Sequence, residues 1–229
     1  MEFNSKMENT KESNIYFELS NLEYKTNSAE SFYSHNLLGF ISRKRVDYLV
    51  SKLSSLNGKR VLDVGCEAGY VSFKLAEAGF SVYSLDVCKD AILDFKRKLD
   101  TKSSPLVVSP AVADAYHLPY RDSNFDAVVC SEVIPLLSSL KELFIEFARV
   151  LRKDGLVVIS FGNQKNRKKF FPILRAVGMN VEAIEKTFPC LHGPEDIVSS
   201  KGENLLLEEV ELFPFKYFNL NTILVLRRN

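Results

Sequence analysis

The stretch VLDVGCEAGYV, residues 61–71, constrains this chain more than any other. An apolar run broken by one acid, Asp63, stops at Gly65, and Gly69 follows just before an apolar-periodic segment. That pattern is a strand turning sharply into a helix, with glycines supplying a backbone geometry that a Cβ resists. A strand–turn–helix unit commits the next strand to lie parallel to the first, because the chain must cross back over the sheet.

The following residues keep that commitment. Arg60–Val64 is strand one, and Tyr70–Ala78 is a helix with apolar Val71, Phe73, Leu75 and Ala76, stopped at Gly79. Ser81–Leu85 is strand two, and Asp90–Leu99 is a helix that turns Ile92, Leu93, Phe95 and Leu99 inward. Leu106–Val112 is a third strand suited to a sheet edge, since Pro110 cannot donate to a ladder. Phe125–Ser131 is strand four, and Ser139 with Glu142 forms a capping box that opens a helix to Leu151. Asp154-Gly155 turns the chain into LVVISF, strand five; Phe170–Val177 is a helix, Val181–Lys186 a sixth strand and Thr222–Arg227 the last. Continuous apolar strands alternating with helices specify an α/β fold with a parallel sheet covered on both faces. Its ligand crevice lies at the carboxyl ends of the strands.

Three regions are expected: residues 1–14 as a disordered tail, 15–57 as an N-terminal helical lid segment rich in aromatics, and 58–229 as the cofactor-binding domain. Within the last, residues 188–215 read as a lid-like insertion, because a long connection inside a compact domain is usually functional. A formal net charge of +1 leaves no global field to draw the chain to nucleic acid or anionic lipid. No window approaches the roughly eighteen uncharged apolar residues of a membrane span. Cys66, Cys88, Cys130 and Cys190 form no C-x-x-C pair, so neither a metal site nor a disulfide framework is indicated. A reducing, cytoplasmic compartment is expected.

The ligand is narrowed by what stands between the glycines. A dinucleotide turn, G-x-G-x-x-G, uses its middle glycine to bring the backbone onto a pyrophosphate, but here that place is Glu67, whose carboxylate repels phosphate. S-adenosylmethionine carries a sulfonium and an ammonium and no phosphate, and meets no such objection. Asp86 ends strand two about twenty residues beyond the turn, where a carboxylate accepts from both ribose hydroxyls. In VADAYHLPY, residues 112–120, Asp114 is placed to accept from an adenine amino group while the Ala115 N–H meets the ring.

With those residues in view, the segment from about Lys59 to Phe161 resembles the class I S-adenosylmethionine-dependent methyltransferases. The matching pieces are VLDVGCEAG, SVYSLDV, VADAYHLPY, NFDAVVCSEVI and FARVLRKDGLVVIS. Within that family it is similar to the small-molecule enzymes of the ubiquinone and menaquinone pathways. The resemblance implies a doubly wound, mostly parallel seven-stranded Rossmann-like sheet with helices on both faces and an antiparallel last strand. It also implies that Asp63, Gly65 and Gly69 shape the methionine pocket, that Asp86 and Val87 lie at the ribose, and that Asp114 and Ala115 hold adenine. By the same resemblance Cys66 and Ser131 are expected to supply backbone or wall contacts, and Arg45, in SRKRVDYL, to hold the methionine carboxylate.

Two departures stand out. Glu67 replaces the middle glycine, and Pro135-Leu136 stands where quinone-pathway enzymes often carry an acid–histidine pair, so the base or metal site of those relatives is not indicated. Glu132, at the end of strand four, and His192, in PCLHGPED, are the candidates for a reaction-facing base. Each residue also has a plainer reading: Asp63 as a helix cap, Asp114 as a local turn, Glu132 in a salt bridge, Arg45 on a solvated basic face.

The expected function is methyl transfer to a small apolar or aromatic acceptor. The alternatives are an RNA or protein methyltransferase, suggested by Arg43–Arg45 and Lys165–Lys169, and a non-catalytic binding subunit that retains the fold. No aromatic-interleaved basic patch appears, which disfavours nucleic acid.

Overall fold

The structure, a computed structural model, describes residues 37–56, 58–103, 105–162, 192–214 and 219–229, together with Pro172, Arg175 and Ala176. Its strands are β1 (Arg60–Val64), β2 (Ser81–Asp86), β3 (Val108–Val112), β4 (Phe125–Ser131), β5 (Leu151–Gly162), β6 (Leu205–Pro214) and β7 (Asn219–Arg228). They form one sheet in the order β3-β2-β1-β4-β5-β7-β6. Strands β1 to β5 pair in parallel, whereas β7 runs antiparallel to both β5 and β6 and is the single reversed strand. The order turns back between β1 and β4, which opens a crevice at their carboxyl ends.

Alternation along the strands sorts the side chains into two cores. From β1, Leu62 and Val64 join Val128 and Cys130 of β4. They pack against Leu143, Phe144 and Phe147 of α4 (Leu140–Val150) and Ile197 of α5 (Pro194–Ser200). On the other face Val61, Ala127 and Val129 meet Val46 and Leu49 of α1 (Leu37–Lys52), and Val71 and Leu75 of α2 (Tyr70–Glu77). The helix α3 (Lys89–Asp100) adds a smaller cluster through Ile92 and Phe95, and Pro110 sits on the edge strand β3.

The structure corrects several sequence expectations. Residues 205–214, read as part of a lid, form β6, which pairs with β7 along its length. Leu93 is 42% exposed, because α3 buries Ala91, Ile92 and Phe95 and Leu93 lies off that stripe. No side-chain bond from Ser139 caps α4; its backbone N–H donates instead to the Tyr116 hydroxyl. Asp154-Gly155 is not a turn ahead of β5 but a bulge within it, opposite the Phe125–Ala127 step, with Asp154 at φ 62°. The expected strand 181–186 lies outside the described residues.

The turn after β1 is held by packing on both sides. Gly65 has φ +72°, and a Cβ there would come within 2.1 Å of Val133 Cγ2. Gly69 has φ +90°, and its Cβ would fall 2.3 Å from the Phe95 ring. Behind the turn, the Ser72 hydroxyl of α2 donates to Asp63 Oδ2 at 2.5 Å and lies 2.8 Å from Ser84 Oγ of β2. Burial, with the nearby Asp86 charge adding to it, pushes the Asp63 carboxyl to about 7 although Ser72 opposes the shift.

Three outcomes are expected from these positions. Gly69→Ala combines a left-handed backbone with a ring collision and should cost roughly 3 kcal/mol in urea unfolding. Gly79→Ala has φ +89° but open space around the added methyl, and should cost only about 1 kcal/mol. For Asp63, a folded value above the unfolded one means its contribution is full below about pH 4 and is lost as pH rises through 7. Asp63→Asn should therefore gain on the parent by about 4 kcal/mol between pH 4 and pH 8. Parallel stability profiles for the two proteins would refute that.

Candidate cofactor and acceptor site

Four loops meet at the carboxyl ends of β1, β2, β3 and β4. The first is tied to β2: the N–H groups of Gly65 and Cys66 both donate to the Leu85 carbonyl, at 2.8 and 3.0 Å. The Glu67 N–H donates to Asp86 Oδ2 at 2.9 Å, and the Cys88 N–H donates to Asp86 Oδ1 at 2.8 Å. Both Asp86 oxygens are thus oriented by backbone donors, and a carboxylate oxygen has capacity to accept a ligand hydroxyl as well. Burial raises the Asp86 carboxyl, while the N–H groups of Cys88 and Glu67 oppose the rise.

Glu67 holds the left-handed conformation at φ 48°, the region in which glycine is the ordinary residue. The turn keeps the glycine-type backbone with a carboxylate at its tip, at a cost of about 1 kcal/mol. Cys66 and Val87 are buried beside it, and burial pushes the Cys66 thiol well up, which makes it a wall and not a nucleophile.

The loop after β3 carries Asp114 and Ala115, both at most 8% exposed. Asp114 Oδ1 accepts the Tyr116 N–H at 2.9 Å, and Oδ2 lies 3.1 Å from His117 Nδ1, which donates to it. The local-turn role of Asp114 is therefore present, and it fixes the carboxylate at the crevice edge. Arg149 of α4 clamps the same loop by donating to the carbonyls of Tyr120 and Leu118, at 2.7 and 3.0 Å. Glu146 accepts the Leu118 N–H at 2.7 Å. Burial alone would raise the Glu146 carboxyl, but Arg149 and that N–H bring it below the ordinary value.

After β4 the chain turns at Glu132, φ 63°, whose N–H donates to the Ser160 carbonyl at 2.7 Å. Its carboxylate receives the Arg45 guanidinium from α1 as a hydrogen-bonded ion pair, and the Asn221 side-chain amide of β7 at 2.7 Å. The salt-bridge reading of Glu132 is present in this contact, and Arg45 is 4% exposed, not on a solvated face. The Arg45 Nε is buried without a hydrogen-bond partner among the described residues. Ser131 Oγ lies 2.9 Å from Ser160 Oγ beneath this pair.

His192 is anchored to the same segment. Its Nε2 lies 2.8 Å from the Leu137 carbonyl, so Nε2 carries the hydrogen and a neutral ring presents its lone pair at Nδ1. Sequence reasoning missed Ser72, Ser84, Ser160 and Asn221. For Asn221 the available signal was a polar residue inside an otherwise apolar last strand. The basic run 163–169 and Cys190 lie outside the described residues, and no metal-ligating cluster occurs among those described. No described helix is long and apolar enough to cross a membrane.

The donor set fits S-adenosylmethionine: carboxylates of Asp86 and Asp114 for hydroxyl and amino donors, and an orphaned buried guanidinium nitrogen for a carboxylate. Residues 62–159 match the family described as "Methyltransferase domain". A ubiquinone biosynthesis O-methyltransferase of Rickettsia typhi is 25% identical over 147 residues, covering 61% of this chain and 57% of that protein. The chain thus matches little more than half the length of such curated relatives. Among solved structures, the PH0226 protein of Pyrococcus horikoshii OT3 superposes with a TM-score of 0.70 at 23% identity, covering 91% of this chain and 99% of that one. Magnesium protoporphyrin IX methyltransferase of Synechocystis PCC 6803, solved with bound SAH, gives 0.70 at 18% identity, covering 93% and 100%. Strand order, glycine turn and sequence match agree over the matched segment: residues 62–159 carry a methyltransferase domain of the class I S-adenosylmethionine-dependent kind.

Proposed function

We propose that the chain transfers a methyl group from S-adenosylmethionine to a small apolar or aromatic acceptor. The observation that carries the reading is Asp86, at the carboxyl end of β2 beside the glycine turn, its carboxylate fixed by the backbone N–H groups of Glu67 and Cys88. The name of the curated relatives, which places their O-methylation in ubiquinone biosynthesis, supports a small-molecule acceptor.

The bound cofactor supplies an electrophilic methyl carbon, whose bond to sulfur breaks as the acceptor's lone pair attacks and leaves a neutral thioether. The protein's part is positioning in a water-poor site. Asp86, with Val87 beside it, holds the ribose, and Asp114 with the Ala115 N–H holds adenine. Gly65, Cys66 and Gly69 form the wall of the methionine pocket, backed by Asp63, and Arg45 takes the carboxylate. Ser131 lies at the wall between cofactor and acceptor, His192 Nδ1 stands on the acceptor side, and Glu132 faces that side once released from Arg45. A hydroxyl acceptor must lose a proton, and those two groups are placed to take it.

Calorimetric titration with S-adenosylhomocysteine tests this reading. Micromolar binding is expected, with none for NADH. Asp86→Ala should weaken it roughly 30- to 100-fold, from the loss of charged-group hydrogen bonds. That variant also leaves two backbone N–H groups without their acceptor, so a stability loss of about 1–3 kcal/mol should accompany it. Unchanged affinity in folded Asp86→Ala would remove the ribose assignment. Silence of the parent protein towards the sulfur ligand would favour a non-catalytic binding subunit.

A further inference from the structure

The Arg45–Glu132 pair joins positions 87 residues apart, and its location gives it a consequence for ligand capture. Arg45 comes from α1, outside the strand–helix core, and its side chain is 5% exposed where Glu132's is 23% exposed. Glu132 immediately precedes Val133, whose methyl group fills the space where a Gly65 side chain would stand. The pair therefore sits against the glycine turn, beside the place assigned above to the methionine end of the cofactor. Glu132 is also held by Asn221 Nδ2, which donates to the same oxygen, Oε1, that Arg45 takes, and by the Ser160 carbonyl, which accepts its N–H. Its left-handed backbone, φ 63°, is the kind of local strain that a surrounding structure must enforce.

A guanidinium so placed presents two faces. Its Nη1 is given to Glu132, while Nε is buried without a partner among the described residues. A buried donor left in that state is costly, and an incoming carboxylate relieves the cost. That carboxylate must arrive next to the Glu132 carboxylate, either displacing it from Nη1 or sharing the guanidinium with it; in both arrangements two like charges meet in a partly dry site.

We propose that Glu132 is an internal competitor for Arg45: its carboxylate occupies the guanidinium in the structure as it stands and is displaced towards the acceptor side when the cofactor carboxylate binds. The device makes cofactor arrival the event that frees Glu132 to face the acceptor. It rests on the methyltransferase reading and on Arg45 as the carboxylate clamp, and adds to them an order of events and a residue that sets cofactor affinity. The three groups involved come from α1, the end of β4 and β7, so elements at both ends of the described chain are joined at this one point.

Glu132→Gln is the informative change. It removes the charge, conserves volume, and keeps an oxygen for the Asn221 amide to donate to, so the fold is retained. Two probes separate the effects: S-adenosylhomocysteine, which carries the amino-acid carboxylate, and 5′-methylthioadenosine, which lacks it. The variant should bind S-adenosylhomocysteine about tenfold more tightly than the parent, while its affinity for 5′-methylthioadenosine stays within about twofold. Unchanged or weaker binding of S-adenosylhomocysteine by the variant overturns the competitor, the weaker case making Glu132 a ligand of the cofactor's ammonium. Equal gains for both probes overturn it as well, since the effect would then not depend on a carboxylate. Failure of the folded parent protein to bind either probe overturns the methyltransferase reading itself, a result distinct from the others.

Discussion

The structure turns on one carboxylate. Asp86 accepts the N–H of Glu67 from the turn after β1 and the N–H of Cys88 at the start of α3. Those two bonds hold the first two βα connections at a fixed separation, and the Gly65 and Cys66 N–H groups add to the same tie through the Leu85 carbonyl. A residue whose expected role is to touch ribose is thus also the peg on which the ribose pocket hangs. On the proposed reading function and stability share the group, because a carboxylate can accept from backbone donors and from ligand hydroxyls together.

Charge explains why the crevice suits a cationic ligand without a phosphate. Asp63, Glu67, Asp86, Asp114 and Glu132 all lie on or just beyond the strand ends, and the nearby buried cation, Arg45, already faces Glu132. Influence between these acids is visible in Asp63 and Cys66, both pushed up by burial and then by the neighbouring Asp86 charge. A dinucleotide pyrophosphate entering here would meet the same field with the opposite result. The Glu67 backbone makes the point sharper: the turn retains the left-handed geometry of a glycine loop, and the side chain there carries negative charge.

Much of this was legible in the sequence because it is local. Strands β1, β2 and β4 are short, largely apolar runs, the glycine turn is five residues long, and Asp86 follows it at the end of the next strand. The parts that were not legible depend on distant partners. LLLEEVELFP gives no clean alternation, since Glu208 and Glu209 are accommodated by Arg227 and by Lys52 with Tyr48; only with those partners does it become the strand β6. Ser139 and Glu142 match a capping pattern, yet Tyr116 claims the Ser139 N–H from 23 residues away. Arg45, Glu132 and Asn221 meet across 87 and 89 residues, and no spacing rule reaches that far.

The most direct test of the central claim is the crystal structure of the protein grown with S-adenosylhomocysteine. The account predicts the ribose hydroxyls on the two Asp86 oxygens, with the bonds from Glu67 N–H and Cys88 N–H still in place. A ligand bound away from Asp86, or one that displaces those backbone donors, would contradict it.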